Sequence, residues 1–253
     1  MSGTETITAM RVGRLRCPVC EAAGGEVYAR QTHPRTGEAI WIDCPTCRLV
    51  YQREFLRLAE MTELLAGRPE PYHTDAKIDD YELRFAAKAP GFRRRMKLLT
   101  SRRPSGGTIV EVGFGGGLLL RLLTESGQWT RVAGIEVARQ YVLHAKRRAM
   151  EAYWADVTAD PPGALIGQAD LVVANEVMEH IEDPVGFLTG ARRLLAPGGM
   201  IAASFAIPDA REKLRSSEWQ YWRPRAVETL IERAGLKAEI HTGMTLATAW
   251  MTA

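Results

Sequence analysis

Long apolar runs are missing from this sequence. Among its 253 residues no stretch approaches the roughly 18 consecutive apolar residues of a membrane-spanning helix. The opening segment MSGTETITAMRVGRLR also lacks the apolar part of a signal peptide. We therefore expect a cytoplasmic protein that does not enter a membrane. A composition of 46% hydrophobic and 25% charged residues is typical of one large globular domain, with or without a small module.

A strong net charge is also lacking. The chain has 33 Lys and Arg against 30 Asp and Glu, which leaves +3 and does not by itself indicate nucleic-acid binding. Residues 91–105 nevertheless contain no acid and six cations: Arg93, Arg94, Arg95, Lys97, Arg102 and Arg103. Such a run is usually the solvated face of a helix, but it keeps an RNA partner open as a hypothesis.

Cysteine is scarce, and its placement is informative. All four cysteines belong to two Cys-Pro-x-Cys pairs, Cys17 with Cys20 and Cys44 with Cys47, separated by 23 residues. Two such pairs can surround one tetrahedral Zn²⁺, whereas two disulfides or unmetallated thiols are the alternatives. The segments EVYARQ and AIWIDC around THPRTGE predict a hairpin between the pairs. Because four thiolates leave no open coordination position, we expect a structural zinc ribbon rather than a catalytic metal.

The pattern of the sequence divides the chain into three parts. We predict a zinc ribbon at residues 1–53, a helical segment at 54–104 and an α/β domain at 105–253. In the helical segment we expect one helix near residues 53–67 and two more on either side of Pro90, because proline interrupts helices. From Thr108 onward strands alternate with helices, which predicts a doubly wound, mostly parallel sheet with an antiparallel ending.

A glycine-rich loop, EVGFGGG, follows the first strand of the α/β domain. Its glycines, Gly113, Gly115 and Gly117, let the backbone turn sharply and approach a ligand. The dinucleotide fingerprint would need glycine where Leu118 stands, and a P-loop would need a Gly-Lys-Ser/Thr ending. Both phosphate-binding interpretations are therefore weakened.

The loop stands in a longer series of segments. Glu136 ends the next strand in GIEV, Asp156 ends the third in WADV, and NEVMEHIEDP and LLAPGG follow. This order resembles the class I S-adenosylmethionine-dependent methyltransferases over residues 105–253. It implies a Rossmann-like seven-stranded sheet and methyl transfer to a small-molecule acceptor. The front more loosely resembles a bacterial arrangement in which a zinc ribbon precedes this domain in enzymes of saccharide and natural-product biosynthesis.

The resemblance also implies which residues hold S-adenosylmethionine. Glu136 would accept hydrogen bonds from the ribose hydroxyls, and Asp156 would bind the adenine amino group, unless these acids are a solvated turn and a helix cap. Tyr72 and Tyr81 would cover the methionine end, although ordinary packing is the alternative. The full implied set is Glu111, Gly113, Gly115, Gly117, Glu136, Asp156, Val157, Asn175, Tyr72 and Tyr81.

Methyl transfer is an in-line displacement, so the protein mainly aligns the two reactants. A base is needed only when the acceptor starts protonated. His180 in MEHIEDP is the candidate base, since its unperturbed pKa of about 6.5 suits the task. The competing interpretation is that Glu179 and His180 shape the loop.

Selection of the acceptor is expected from residues 207–224. This segment offers Trp219, Tyr221, Trp222 and Arg223 as substrate contacts, unless its rings pack on the core. Further walls could come from the helical segment, the ribbon or a second subunit, which leaves a homodimer open.

Two other functions compete with small-molecule methylation. An RNA methyltransferase would use the ribbon and the basic segment, but the fourth strand ends in NEVM rather than the N/D-P-P-Y/F of many nucleobase amino-methyltransferases. A non-catalytic partner subunit with this fold is disfavoured because the glycine loop, Glu136 and Asp156 are intact.

Overall fold

The computed structural model describes residues 12–33, 37–55, 83, 85–208, 214, 218–243 and 246–253. Most of the helix expected near residues 53–67 lies outside these ranges, and so do Tyr72 and Tyr81. Among the described residues, no helix has the length and apolarity to cross a membrane.

The N-terminal part is made of short strands around the cysteines. They are β1 (Val12–Gly13), β2 (Glu26–His33), β3 (Gly37–Asp43), β4 (Val50–Gln52) and β5 (Glu54–Phe55). β2 and β3 pair antiparallel, which confirms the predicted hairpin, and β4 extends this sheet on the other side of β3. β5, where the sequence predicted a helix to begin, pairs instead with β1.

Helix α1 (Phe85–Leu99) runs through Pro90, so the predicted break at this proline is wrong. The reason lies in the apolar face formed by Phe92, Met96 and Leu99, which packs against a buried cluster under the sheet. Full burial of one such side chain contributes about 1.5 to 3 kcal/mol. Tertiary packing of this face therefore offsets the roughly 3 kcal/mol that an interior proline costs.

The remaining elements alternate between strands and helices. In chain order they are β6 (Thr108–Val112), α2 (Leu118–Glu125), β7 (Arg131–Glu136), α3 (Arg139–Arg147), β8 (Glu151–Trp154), β9 (Ala169–Ala174), α4 (Pro184–Arg193), β10 (Leu195–Ala206), β11 (Gln220–Tyr221), α5 (Pro224–Arg233), β12 (Lys237–Thr242) and β13 (Leu246–Thr252). Short 3-10 turns lie at Gly163–Leu165 and Met178–His180.

The main sheet has seven strands in the order β12-β13-β10-β9-β6-β7-β8. The pairs from β10 through β9, β6 and β7 to β8 are parallel. β13 is antiparallel to both of its neighbours, β10 and β12. This topology confirms the predicted doubly wound sheet with an antiparallel last strand. It brings the carboxyl ends of β6, β7, β8 and β9 to one edge, where such folds bind ligands.

Strand β11 does not join the main sheet. It pairs with β4 and completes a four-stranded sheet in the order β11-β4-β3-β2. The ribbon thus incorporates a strand from the segment that follows β10. Its buried side chains, among them Val19 and Ile42, belong to the same apolar cluster as Trp222 and Val227 of the α/β part.

Candidate active site and metal centre

The loop after β6 has the backbone that a close-fitting ligand requires. Gly113, Gly115 and Gly117 all have positive φ values, 74°, 50° and 77°. Residues other than glycine rarely adopt this backbone conformation. A Cβ atom at Gly113 would lie 2.5 Å from the Val177 side chain, whereas one at Gly115 would meet nothing within 4 Å. The loop is therefore packed against Val177 at Gly113, whereas there is open space beside Gly115.

Glu136 lies at the carboxyl end of β7 and faces this loop. Its Oε2 accepts a hydrogen bond from the Gly115 N–H at 2.8 Å, and its Oε1 accepts one from the Ala138 N–H at 2.9 Å. Burial raises the pKa of Glu136, while these backbone donors lower it. Since an ionised carboxylate offers about four acceptor positions, roughly two remain for the hydroxyls of a ribose.

Glu111 is a second buried carboxyl group beside the loop. Burial, and then the negative charge of Glu136, raise the pKa of Glu111 to about 8. Its Oε2 has no hydrogen-bond partner among the described residues. Buried polar atoms without partners are rare, and they often indicate a bound molecule or water. The two carboxyl groups and the open glycine loop therefore fit a ligand that has hydroxyl groups and a positive charge, as S-adenosylmethionine has.

The end of β8 supplies the side expected to hold adenine. Asp156 is exposed, and its Oδ1 accepts from the Thr158 N–H at 2.8 Å within a turn. Its role toward adenine stays a prediction. Val157 is buried, and Trp154 is 63% exposed with its indole N–H donating to Val137 O at 2.9 Å. An exposed ring held in this way can stack on a flat aromatic ligand.

Asn175 follows the end of β9 and is fixed by a residue that the sequence did not indicate. The buried Ser204 hydroxyl lies 3.5 Å from Asn175 Oδ1 and accepts a hydrogen bond from the Glu176 N–H at 2.7 Å. Glu176 is exposed and has φ 55°, an uncommon value for a residue with a side chain. Strained residues of this kind cluster at functional sites. No local pattern around Ser204 could have revealed this contact, because it joins neighbouring strands.

A cavity of about 650 Å³ opens between α1 and the end of β9. The charged residues of its lining are three cations and one acid, Glu176. The lining residues that bear on its chemistry are Lys88, Phe92, Arg94, Arg95, Asn175 and Glu176. The volume suits a small organic molecule.

His180 ends the 3-10 turn Met178–His180 and is half-buried. Its N–H donates to Val177 O at 2.9 Å, which closes the turn. Glu179 beside it is buried. The turn follows Asn175 and Glu176 directly, so the sheet brings His180 to the same edge as the cavity. Its role as a general base stays a prediction.

The aromatic residues of the acceptor segment are placed in the interior. Trp219, Tyr221 and Trp222 are all buried, Trp222 completely, so in this structure they contact the protein's own core, as the packing alternative supposed. The indole N–H groups of Trp219 and Trp222 have no acceptor among the described residues. Arg223 is turned toward the ribbon, with Nη1 2.6 Å from Asp43 Oδ2. Substrate contact by these four residues stays a prediction.

The four cysteines form one cluster. Their sulfur atoms all lie within 4.8 Å of one another, with Cys17 and Cys47 separated by 3.5 Å and Cys20 and Cys44 by 3.4 Å. These distances are far too long for disulfides, whose sulfurs are about 2.05 Å apart. Tetrahedral Zn²⁺ with bonds of about 2.3 Å places its sulfurs about 3.8 Å apart. The cluster therefore fits one four-thiolate zinc ion.

The two knuckles that present these thiols have the same backbone conformation. In each, the residue after the second cysteine has positive φ, 61° at Glu21 and 67° at Arg48. Its N–H donates to the carbonyl of the first cysteine, at 3.0 Å and 3.1 Å respectively. The repeated Cys-Pro-x-Cys sequence thus gives a repeated turn. The four thiols would fill all four coordination positions of a tetrahedral zinc ion, as they do in a structural site.

The basic segment is partly engaged within the chain. Arg103 pairs with Asp170 at 2.9 Å, Arg102 pairs with Glu239, and Arg94 and Arg95 line the cavity. Four of its six cations are exposed: Arg93, Arg94, Lys97 and Arg102. An RNA partner therefore stays a hypothesis.

Comparison with known proteins shows which family the chain belongs to. Residues 82–240 match the sequence model of a family described as "Methyltransferase domain". This is more than half of the chain, which therefore belongs to that family. Together with the sheet topology, this identifies a class I methyltransferase fold of the S-adenosylmethionine-dependent type.

Curated relatives include ubiquinone biosynthesis O-methyltransferases. The one from Dinoroseobacter shibae is 31% identical over 156 residues, which cover 54% of this chain and 62% of that protein. The one from Thiobacillus denitrificans is 26% identical over 173 residues, which cover 60% and 74% respectively. The match to the Dinoroseobacter protein thus spans about three fifths of its length.

Solved structures share the fold at low identity. A TehB-like SAM-dependent methyltransferase from Corynebacterium glutamicum aligns with TM-score 0.52 and 20% identity, over 71% of this chain and 99% of that one. The glycopeptide N-methyltransferase MtfA aligns with TM-score 0.53 and 15% identity, over 64% and 90% respectively.

Proposed function

We propose that this protein transfers the methyl group of S-adenosylmethionine to a small-molecule acceptor. The observation that carries the proposal is the arrangement at one sheet edge of the open loop at Gly115, the buried carboxylate of Glu136 and the unpaired Oε2 of Glu111. When bound, the cofactor supplies an electrophilic methyl group on a sulfonium. Glu136 binds the ribose, Asp156 with Val157 holds the adenine, and the loop with Asn175 encloses the methionine part.

The acceptor binds in the cavity between α1 and β9. This cavity adjoins Asn175, so an acceptor placed there meets the methionine end of the cofactor site. Its cationic lining favours an acceptor that carries an anionic group, since Arg recognises carboxylate and phosphate groups well. The name of the ubiquinone biosynthesis relatives supports a hydroxyl oxygen as the methylated atom. A place in saccharide or natural-product biosynthesis stays a prediction.

The protein's own residues then align the two reactants and accept one proton. Alignment of the acceptor with the methyl group contributes most, because displacement needs the reacting atoms in line. His180 takes the proton of the acceptor hydroxyl at an imidazole nitrogen. Zinc holds the ribbon together and does not enter the reaction.

Calorimetry with S-adenosylmethionine and with S-adenosylhomocysteine tests the cofactor assignment. Binding of both is expected, and absence of binding at millimolar ligand contradicts the proposal. Transfer of a labelled methyl group to a panel of hydroxylated aromatic acids and saccharides then identifies the acceptor class. Titration with total RNA at two salt concentrations tests the competing function, which requires tight and strongly salt-dependent binding.

A further inference from the structure

Gln220 has a completely buried side-chain amide with partners in two distant parts of the chain. Its Nε2 donates to Met178 O at 2.7 Å and to Ile181 O at 2.8 Å. Its Oε1 accepts from Arg14 Nη1 at 3.0 Å. The two carbonyls lie on either side of His180. This one amide therefore joins the ribbon to the turn that carries the candidate base.

Neighbouring groups hold the same turn from the same side. The Trp219 N–H donates to Glu179 O at 2.7 Å, and Arg14 Nη2 donates to Glu182 O at 3.0 Å. The carbonyls of residues 178, 179, 181 and 182 thus all accept hydrogen bonds from the residue after β1, from β11 or from the residue before β11. Within the turn, the His180 N–H donates to Val177 O. The turn is therefore held in part by contacts that come from outside its own segment.

The donors are in turn fixed by the zinc ribbon. Gln220 pairs with Tyr51 of β4, and the neighbouring Gln52 donates from its backbone to Trp219 O and from its side chain to Glu218 O, both at 2.8 Å. β4 begins three residues after Cys47. Arg14 stands three residues before Cys17, and its N–H donates to Arg53 O at 2.7 Å. Arg14 is therefore three residues from the first knuckle, and Gln220 pairs with the strand that follows the second knuckle.

We propose that Gln220 and Arg14 are positioning residues through which the zinc ribbon fixes the turn Met178–His180 beside the acceptor cavity. The inference rests on the proposed function for the role of His180. The ribbon then helps to orient the turn that carries His180 beside the acceptor cavity. The cofactor end should be independent of it, because the contacts of Glu136 come from Gly115 and Ala138.

Replacement of the buried amide tests this coupling. Gln220→Leu keeps a similar size but removes both donors, which leaves two buried carbonyls without partners. Thr100→Val is the control, since Thr100 is also a buried polar residue, and its hydroxyl donates to Met96 O of α1. Hydrogen exchange of the full-length, zinc-loaded chain is measured for peptides that cover residues 176–183 and 111–120.

In Gln220→Leu we expect exchange in residues 176–183 to rise at least tenfold, with residues 111–120 and the affinity for S-adenosylmethionine changed by less than about twofold. Thr100→Val should leave residues 176–183 near the wild-type rate. Unchanged exchange in Gln220→Leu, or an equal rise in both variants, overturns the inference. If Gln220→Leu does not fold, Arg14→Met is measured in the same way, with the same two outcomes.

An activity measurement separates positioning from simple destabilisation. With an acceptor in hand, Gln220→Leu should lower kcat at least tenfold at saturating cofactor, with the KM for S-adenosylmethionine nearly unchanged and the pH profile altered. Equal effects on the cofactor and acceptor steps contradict the inference. Failure of the wild-type chain to bind S-adenosylmethionine would instead refute the proposed function, and the exchange result would still report on the coupling.

Discussion

Arg223 Nη1 lies 2.6 Å from Asp43 Oδ2, and this ion pair joins the residue before α5 to the end of β3 in the ribbon. Both partners are largely shielded from solvent, so the contact is more than a loose surface pair. It continues the junction made by β11 and by the buried ring of Trp222. The segment after β10 thus serves to dock the ribbon on the α/β part. The division into residues 1–53, 54–104 and 105–253 stays a prediction.

Removal of zinc should disrupt the ribbon and spare the cofactor site. Chelation, or Cys20→Ser, leaves the knuckles without the ion that holds them, and metal binding contributes directly to folding of such modules. We expect a lower melting temperature together with S-adenosylmethionine affinity within about tenfold of the native value. Calorimetry before and after chelation measures this. Complete loss of cofactor binding would show that the ribbon forms part of the cofactor site.

Glu136→Gln should weaken S-adenosylmethionine binding by about ten- to a hundredfold. The substitution keeps the shape but removes the charge that makes the carboxylate a strong acceptor, and such charge-assisted hydrogen bonds contribute on the order of 1.5 to 3 kcal/mol. Calorimetry gives the dissociation constant. Glu228→Gln, an exposed substitution on α5, serves as the control. Equal affinity in the two variants would remove Glu136 from the cofactor site.

The buried carboxyl group of Glu111 should make stability fall as pH rises. Burial holds its pKa near 8 in the folded chain, while an unfolded Glu titrates near about 4.3. Below the unfolded value both states are protonated and the folded state bears no penalty. Stability is then lost as pH rises toward 8, because only the unfolded chain ionises readily.

Glu111→Gln removes this titration and tests the pH effect. Relative to the wild type, the variant should gain about 4 kcal/mol between pH 4.5 and pH 8. Urea unfolding of the cofactor-free proteins at the two pH values gives the comparison, with the exposed Glu125→Gln as the control. Parallel pH dependence in wild type and Glu111→Gln would contradict the assignment.

His180→Ala and His180→Gln distinguish a base from a loop former. General base catalysis contributes typically 10² to 10⁴ in rate, so both variants should lose kcat in that range while S-adenosylmethionine affinity stays near native. Steady-state kinetics with the identified acceptor measures the loss. Unchanged turnover would discard the catalytic role, and recovery in His180→Gln alone would favour a structural one.

Arg95→Gln should weaken binding of an anionic acceptor without affecting the cofactor. Arg95 lines the cavity, whereas Arg93 on the same helix is exposed and is not among the residues found to line it. Loss of one charge-assisted contact corresponds to roughly a tenfold or larger rise in the acceptor KM. Arg93→Gln is the matched control. Equal effects in both variants would refute the anionic acceptor.

Features that depend on neighbouring residues could be predicted from the sequence. The Cys-Pro-x-Cys repeat encodes its own turn, and the glycines and Glu136 lie at the ends of short, mainly apolar strands that the sequence already marks. Parallel strands bring their carboxyl ends to one edge whatever the loops do. The cysteine cluster, the sheet and the edge that carries the candidate cofactor residues could therefore be predicted from the sequence.

Only the tertiary structure decided where distant segments meet. Continuation of α1 through Pro90 depends on apolar side chains that pack under the sheet, and local propensity cannot register that gain. Pairing of β11 with β4 joins residues about 170 positions apart in sequence, and it places two residues of the expected substrate segment in one sheet with the ribbon. The bonds from Gln220 to the turn at His180 follow from that pairing. A sequence specifies such contacts only through the fold as a whole, because a single buried glutamine in a polar segment carries no local sign of its partners.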